Sequence, residues 1–384
     1  MDIVGHFLVT YLRSSWLYNQ ITSQKRYRRR IYSWARNVDD DITKGTDYFQ
    51  VGPEFGASTK GRVATLGIVS ACERLMQGAS RSLSTQMQAD QVNVIHAHFG
   101  RAGYLAINAA DRAKLPLITS FYGYDVAQYG KLPKWQRNYR RLFERGDLML
   151  CLGPNMQRDL IELGCPQEKT RIHHLGVDIR NIEYRPRVWN GQEPLRVLIA
   201  AAFRPKKGIP YALQALGQFR REVDLQITLI GDTLDTPDSM PEKQKILATI
   251  EAQGLSDCTA VLGFKPYQFL LEEAYNHHVF IAPSITADDG DMEGTPMALA
   301  DMAATGIPII STRHADIPEL IVDGNTGLLA DERDTEGLVQ HLRWLVSNQD
   351  QWETMTREGR QHIETEFDLH VQAERLASIY DSLR

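Results

Sequence analysis

Residues 283–306 read PSITADDGDMEGTPMALADMAATG, and this stretch decides how the rest of the chain is interpreted. A short apolar run, Val279–Ala282, precedes it and predicts a buried strand. An acidic loop with a glycine follows, and a helical pattern starts near Glu293. A strand, a glycine-containing turn and a helix N-terminus favour the binding of an anion, because the first helical N–H groups have no partners within the helix.

Two carboxylates in this stretch fit a sugar nucleotide. Glu293 and Asp301 are eight residues apart, which is a little over two helical turns, so both can lie on one side of the predicted helix. Gly294 allows a ligand to approach the backbone closely. Carboxylates can bind sugar hydroxyls, and amides can bind a diphosphate. The same pattern is also typical of an amphipathic helix with acids near its positive end, and the motif alone leaves both interpretations open.

The longer stretch 293–329, EGTPMALADMAATGIPIISTRHADIPELIVDGNTGLL, resembles the donor-site signature of retaining glycosyltransferases of family four, which have the GT-B fold. That signature is Glu-x(7)-Glu, followed by a Gly-Pro-Val-like strand and a Gly-x-x-Gly turn. Glu293 matches the first acid, and Asp301 stands where the second glutamate is usual. The matches that follow are Gly306, Pro308, Pro318–Glu319 and Asn325–Gly327.

Size and composition indicate an ordinary globular protein of two domains. A chain of 384 residues is too long for a single core. A hydrophobic fraction of 43% is that of an ordinary globular protein, and a net charge of -5 argues against a general nucleic-acid binder. No apolar run has the length of a transmembrane helix, and the first residues lack the features of a signal peptide. Four scattered cysteines predict reduced thiols in a cytoplasmic protein.

Alternating strand and helix patterns run along both halves of the chain. His6–Leu12, Trp16–Tyr27 and Arg30–Trp34 read as strand, helix and strand, which predicts a parallel sheet. The turn Arg13-Ser14-Ser15 replaces the Gly-rich loop of many family members, and it resembles the polysaccharide-export, colanic-acid-type branch. The second half repeats the same pattern from Leu195 onward.

The resemblance implies an α/β GT-B fold, with two doubly wound, Rossmann-like parallel-sheet domains facing a cleft. We assign residues 1–183 to an N-terminal acceptor-side domain and residues 195–365 to a C-terminal domain that binds the nucleotide-sugar donor. The aperiodic, polar segment 184–194 predicts a linker. By resemblance to the fold, a C-terminal helix within residues 366–384 packs back on the first domain.

Two basic segments interleave with aromatic residues. Lys25–Arg30 can be a solvated helix end or can contact anionic lipid head groups. In Lys131–Asp147, apolar residues recur at helical spacing among lysines and arginines. This pattern fits a helix lying on a membrane surface, and it fits equally a helix that faces the core and exposes a solvated face. We therefore expect a cytoplasmic protein, with peripheral binding to the inner face of the plasma membrane as a hypothesis.

Polar residues follow two predicted strands of the first half. His96 and His98 alternate with apolar residues and so point to one face. Ligands sit beyond the carboxyl ends of strands in open parallel sheets, where His98, Tyr122 and Asp125 fall. The segment 120–125 resembles the family's Ser-x-His-Gly-x-Asp motif, with Tyr122 in place of the histidine near the reacting sugar. His98 is the possible substitute.

The resemblance also assigns roles on the donor side. Arg204 and Lys207 would offset the charge of the departing diphosphate, and Glu293 would contact the hydroxyls of the donor sugar. The amides of Gly294, Thr295 and Met297 would face the sugar and phosphates, and Asp301 would bind the ribose hydroxyls. Asp288, Asp289 and Asp291 lack the spacing of a calcium loop. We expect no metal and no cofactor besides the nucleotide sugar.

The sequence thus predicts a retaining glycosyltransferase. It would move a sugar from a nucleotide-diphosphate donor, a UDP- or GDP-sugar, to a saccharide or lipid-linked acceptor in cell-surface or extracellular polysaccharide synthesis. Two alternatives stay open: an epimerase or phosphorylase with the same fold, and a non-catalytic scaffold of a polysaccharide assembly complex. The sequence does not name the base, the sugar, the acceptor, the linkage or the oligomeric state.

Overall fold

The computed structural model describes residues 1–10, 15–37, 47–50, 54–55 and 73–383. Arg13 and Ser14 of the predicted turn, and Cys72, lie outside these ranges. The chain forms two compact units. The first comprises Met1–Gly176 and Leu369–Arg384, and the second comprises Val177–Asp368. The predicted boundary at residue 183 therefore falls within the second unit.

The first unit contains an eight-stranded parallel sheet with helices between its strands. Its strands are β1 (Ile3–Thr10), β2 (Arg28–Asn37), β3 (Asp47–Gln50), β4 (Glu54–Phe55), β5 (Val92–His98), β6 (Leu117–Ser120), β7 (Leu148–Cys151) and β8 (Thr170–Ile172). Its helices are α1 (Ser15–Thr22), α2 (Glu73–Ala89), α3 (Gly100–Ala113), α4 (Tyr124–Ala127), α5 (Pro133–Arg145) and α6 (Pro154–Glu162), with α14 (Leu369–Asp381) from the end of the chain. The sheet order is β3-β2-β1-β5-β6-β7-β8, and β4 pairs with β2.

The order of the first sheet places the polar ends of its central strands side by side. In the pairing of β1 with β5, His6 lies opposite His96. In the pairing of β5 with β6, His98 lies opposite Ser120. Carboxyl ends of neighbouring parallel strands share one edge of a sheet, so this register brings the histidines together.

The last helix completes the core of the first unit. Leu376, Ala377 and Tyr380 of α14 are buried in one cluster with Val4, Val94 and other apolar residues of the sheet. The predicted helix in residues 366–384 is thus present as α14 and belongs to the first unit.

The structure shows which elements the two basic segments form. In α5 the apolar residues Trp135, Tyr139, Leu142 and Phe143 are all buried, so this face packs on the protein and cannot insert into a membrane. The helix is the core-facing alternative, with its basic side exposed. Part of the run Lys25–Arg30 belongs to β2 rather than to a helix end. No helix among the described residues is long and apolar enough to cross a membrane.

The second unit is built on a six-stranded parallel sheet of order β11-β10-β9-β12-β13-β14. Its strands are β9 (Leu195–Ala200), β10 (Leu225–Ile230), β11 (Thr259–Val261), β12 (Val279–Ala282), β13 (Ile309–Thr312) and β14 (Leu328–Ala330). Its helices are α7 (Ile209–Phe219), α8 (Ser239–Ala252), α9 (Tyr267–Asn276), α10 (Met297–Thr305), α11 (Ile317–Leu320), α12 (Thr335–Ser347) and α13 (Trp352–His362).

Apolar residues cover both faces of the second sheet. Val197 and Ile199 of β9 face one buried cluster, and Leu198 and Ala200 face the other. A parallel strand buried on both faces reads as a continuous apolar run, which is the pattern of β9 and β12. The segment 184–194 has neither helix nor strand. It nevertheless packs on this unit through the buried side chains of Arg187 and Trp189, so it does not behave as a free linker.

Candidate functional site

The carboxyl ends of four neighbouring strands of the second unit place charged residues at one edge of its sheet. A short 3-10 turn, Pro205–Lys207, follows β9. The loop with Glu293 follows β12, His314 follows β13, and Glu332 follows β14. This is the edge at which open α/β sheets bind ligands.

Glu293 is the most constrained acid at this edge. Its side chain is only 7% exposed, and Lys207 Nζ lies 2.8 Å from Glu293 Oε1. The contact is an ion pair whose angle falls short of a hydrogen bond, since this oxygen has no hydrogen-bond partner among the described residues. Burial raises the pKa of Glu293, but the Lys207 and Lys206 ammonium groups outweigh burial and hold the pKa below its ordinary value. The carboxylate is therefore ionised near neutral pH.

The helix after Glu293 starts later than predicted. Helix α10 begins at Met297, so Glu293 lies in the preceding loop, and the idea that both acids share one helical face is wrong. Pro296 is the N-cap residue, and no side chain caps the helix. Among the described residues, the amides of Gly294, Thr295 and Met297 donate no hydrogen bond. They are N–H groups at the positive end of a helix.

Asp291 pairs with two cations that follow β9, Arg204 and Lys206. Arg204 Nη2 lies 2.9 Å and Lys206 Nζ 3.2 Å from Asp291 Oδ2. Lys206 also donates a 2.9 Å hydrogen bond to the Met292 carbonyl, and Arg204 Nε donates one of 3.0 Å to Asp238. The acidic loop and the basic turn after β9 thus neutralise each other.

A glycine allows this basic turn to approach β12. Gly208 has a positive φ of 62°, and a Cβ atom there would lie 1.9 Å from the Pro283 carbonyl oxygen. In the same contact, Ile285 N–H donates a 2.8 Å hydrogen bond to the Lys206 carbonyl. Only glycine combines this conformation with so close an approach.

Asp301 lies on α10 and is held by a different partner. Tyr267 donates a 2.8 Å hydrogen bond to Asp301 Oδ1. Burial raises the pKa of Asp301 to about 7, although the Tyr267 hydroxyl opposes this shift. The structure thus brings Glu293, Lys207 and Arg204 into one charged cluster, while Asp301 pairs with an exposed aromatic side chain.

Sequence reasoning missed two residues of this site. Glu293 N–H donates a 3.1 Å hydrogen bond to His314 Nε2, and His314 Nδ1 lies 2.6 Å from Glu332 Oε1. His314 is fully buried. Both residues follow a strand at its carboxyl end, so the rule that selected His98, Tyr122 and Asp125 could have selected them as well.

In the first unit, two predicted site residues form a direct pair. His98 Nδ1 lies 2.6 Å from the Tyr122 hydroxyl, which also donates a 3.3 Å bond to Gln20 Oε1. Burial and the nearby His6 hold the pKa of His98 well below its ordinary value, so the ring is neutral. Burial likewise raises the pKa of Tyr122. His98 and Tyr122 can thus share a hydrogen bond, and neither side chain carries a charge.

His6, His96 and His98 form the one cluster of at least three potential metal ligands found in the described ranges. His6 Nδ1 lies 3.0 Å from His98 Nε2, a hydrogen-bond distance. Both ring nitrogens of His96 are also bonded, to Tyr380 and Ser120, each at 2.7 Å. These contacts account for most of the ring nitrogens, so the cluster reads as a buried hydrogen-bond network.

Among the described residues, the carboxylate of Asp125 binds backbone N–H groups rather than another side chain. Its buried carboxylate accepts hydrogen bonds from the N–H groups of Gly100, Tyr122 and Gly123 at 3.0–3.1 Å. Burial raises its pKa to about 6 despite these bonds. This geometry holds the loop that carries Tyr122 and uses three acceptor sites of Asp125.

Comparisons with known proteins agree with this architecture. A family model described as Glycosyltransferase Family 4 matches residues 54–181, and one described as Glycosyl transferases group 1 matches residues 182–362. Among solved structures, HepE of Anabaena in complex with UDP has a TM-score of 0.80 at 16% identity, with 100% of both chains covered. Its complex with UDP-glucose has a TM-score of 0.75 at 16% identity, with 99% of this chain and 100% of that chain covered.

Curated relatives are closer in sequence. The putative colanic acid biosynthesis glycosyltransferase WcaL of Escherichia coli is 32% identical over 305 residues, which cover 78% of this chain and 72% of that protein. The amylovoran biosynthesis glycosyltransferase AmsK of Erwinia amylovora is 32% identical over 297 residues, covering 76% of this chain and 70% of that protein. The predicted GT-B fold and family are confirmed, and the chain belongs to the family 4 glycosyltransferases.

Proposed function

We propose that this glycosyltransferase moves a sugar from a nucleotide-diphosphate donor, a UDP- or GDP-sugar, to a saccharide or lipid-linked acceptor. The reaction would serve synthesis of a cell-surface or extracellular polysaccharide. The names of WcaL and AmsK support this product class, and the HepE complexes support the donor class. The observation that carries the proposal is the ionised, buried Glu293 beside Lys207 at the ligand-binding edge of the second sheet.

The second unit offers the groups that a nucleotide-diphosphate sugar needs. Glu293 is proposed to accept hydrogen bonds from the donor-sugar hydroxyls. The amides of Gly294, Thr295 and Met297 lie at a helix N-terminus, which suits phosphate oxygens. Lys207 and Arg204 would offset the negative charge that develops on the departing diphosphate. Asp301, beside Tyr267, is proposed to bind the ribose hydroxyls.

The proposed transfer retains the anomeric configuration. The bond from the anomeric carbon to the diphosphate oxygen breaks, and the acceptor oxygen bonds to that carbon on the same face. The departing phosphate oxygen takes the acceptor's proton. His98 and Tyr122 of the first unit would bind the acceptor side as neutral hydrogen-bonding groups, with Asp125 holding their loop. The reaction would use no cofactor and no metal bound by acidic residues.

Donor binding can be tested with a thermal-shift panel of UDP-, GDP- and ADP-sugars, because a ligand that binds only the native state raises apparent stability. Release of free nucleoside diphosphate without acceptor would then separate an enzyme from a non-catalytic scaffold. Product analysis would separate transfer from epimerisation or phosphorolysis.

Glu293→Gln tests the central assignment. The change keeps the shape of the side chain and removes its charge, so we expect transfer to fall about a hundredfold or more, as for loss of one transition-state contact. Glu222→Gln is the matched control, because Glu222 is an exposed acid of the same unit that pairs with Arg343. Near-normal turnover of purified Glu293→Gln would reject the assignment.

A further inference from the structure

His314 and Glu332 connect three strands of the second sheet through one chain of hydrogen bonds. Glu332 follows β14, His314 follows β13, and the loop of Glu293 follows β12. We infer that His314 and Glu332 are positioning residues that fix the backbone of Glu293 for its contact with the donor sugar. This inference rests on the proposed function of Glu293.

The hydrogen bonds select one form of the His314 ring. Glu293 N–H donates to His314 Nε2 at 3.1 Å, so Nε2 carries a lone pair. Nδ1 then carries the proton and donates it to Glu332 Oε1 at 2.6 Å. A neutral imidazole protonated on Nδ1 is the form that satisfies both contacts. Glu332 therefore stabilises this tautomer of His314.

Glu332 also accepts hydrogen bonds from the other end of the loop that carries Glu293. Its Oε2 accepts a 2.8 Å hydrogen bond from Thr286 N–H, and the Thr286 hydroxyl donates a 3.1 Å bond to Oε1. Within the loop, Ala287 N–H donates to the Asp291 carbonyl at 2.9 Å. The loop is thus tied to one carboxylate near its start and, through His314, to the same carboxylate near its end.

This arrangement acts on the carboxylate of Glu293 through the backbone. A site must be held close to its productive geometry, because a displacement of about 1 Å can cost a hundredfold in rate. The Lys207 contact fixes one oxygen of the Glu293 side chain, and the His314 contact fixes the amide of the same residue. Loss of the second contact should lower kcat while leaving nucleotide binding largely intact.

A purely structural role for a buried histidine would give a different result. His277 is a suitable control, since it is a buried histidine of the same unit that lies before β12, at the opposite edge of the sheet. It bonds to Thr228 and to the Glu273 carbonyl. Replacing His277 should lower stability without changing kcat of the folded protein.

The experiment compares His314→Ala, His314→Gln, Glu332→Gln, Glu293→Gln and His277→Ala. For each variant, kcat and KM for donor hydrolysis and the urea midpoint are measured. We expect His314→Ala to lower kcat at least about tenfold with a KM within twofold of wild type, and His314→Gln to recover part of the loss through its amide oxygen. His277→Ala should shift only the urea midpoint.

Glu332→Gln keeps the test decisive if His314→Ala fails to fold. A glutamine can donate to Nδ1, so ¹⁵N NMR of the His314 ring should show the tautomer protonated on Nε2, and kcat should fall. An unchanged tautomer, or unchanged kcat with a changed tautomer, would overturn the inference. An inactive Glu293→Gln with a fully active His314→Ala would overturn the inference alone, whereas an active Glu293→Gln would overturn the proposed function as well.

Discussion

Lys207→Met removes the ammonium group that lies 2.8 Å from Glu293 Oε1 and keeps much of the side-chain length. The Lys207 side chain is 22% exposed and that of Glu293 only 7%. Removing one partner of a buried ion pair typically costs about 3–5 kcal/mol, because the other charge stays buried without compensation. Lys206 also acts on Glu293 and remains in the variant. We therefore expect the lower end of this range, about 3 kcal/mol, at pH 8.

The loss should depend on pH. Burial raises the pKa of Glu293, but Lys207 and Lys206 together hold it below its ordinary value. A lowered carboxyl pKa stabilises the fold above the unfolded-state pKa, and this contribution is lost as pH falls. Without Lys207, burial should dominate and raise the pKa, so the variant becomes relatively more stable as pH falls. The difference from wild type should therefore be smaller at pH 5 than at pH 8.

Urea unfolding of wild type and Lys207→Met at pH 5 and pH 8 measures the loss of stability and its dependence on pH. The double variant Lys207→Met/Glu293→Gln should lose this pH dependence, since it no longer contains the buried Glu293 carboxylate. Lys243→Met is the matched control: its partner Asp232 is 2.7 Å away, but both side chains are about one-third exposed. An exposed pair contributes about 0–1 kcal/mol. A pH-independent loss, or an equal loss in Lys243→Met, would refute the reasoning.

Three further predictions concern other parts of the chain. Asp301→Ala should weaken nucleoside diphosphate binding by about 1.5–3 kcal/mol, a factor of roughly 10 to 150. An unchanged affinity, measured by calorimetry, would show that Asp301 is not part of the site. Gly208→Ala should reduce the free energy of unfolding by at least about 1 kcal/mol more than Gly191→Ala. Both glycines have a positive φ, but of the two only Gly208 would bring the new Cβ close to another atom, the Pro283 oxygen at 1.9 Å. Equal urea midpoints for the two variants would contradict this clash. The exposed basic side of α5 and the run Lys25–Arg30 should bind anionic vesicles, and salt should weaken this binding because screening acts beyond about 10 Å at 0.1 M. Flotation without a difference between neutral and anionic liposomes at low salt would reject membrane binding.

Much of the second unit could be predicted from apolar runs. Val279–Ala282 is β12 with the predicted bounds, and the pattern predicted from Leu195 onward begins at that residue as β9. These strands are buried on both faces, and such burial leaves a continuous apolar run that needs no tertiary information to recognise. The resemblance to the family signature assigns roles to Lys207 and Glu293, and the fold brings these two side chains into contact.

The start of α10 shows how a competing local rule can decide a boundary. The sequence predicts a helical pattern that starts near Glu293, after an acidic loop. Thr295 precedes Pro296, and a residue before proline is disfavoured in the helical region, so the helix begins at Met297. Pro296 therefore marks this boundary in the sequence itself.

Other features depend on contacts that a local pattern cannot specify. The apolar stripe of α5 is compatible with a membrane surface or with a core, and only the packing of the first unit decides between them. His314 and Glu332 are 18 residues apart and meet because β13 and β14 are neighbours in the sheet. Strand order is a property of the whole unit, so this pair could not be read from spacing.

The return of the chain to the first unit has a consequence for synthesis on the ribosome. The second unit is an insertion whose two ends are adjacent, since Val177 N–H donates a 2.8 Å hydrogen bond to the Phe367 carbonyl. It can therefore fold as soon as residue 368 has emerged. The first unit is made earlier, but its core lacks Leu376 and Tyr380 until α14 appears. Part of the apolar sheet of the first unit thus stays uncovered until α14 has been translated, after the whole of the second unit.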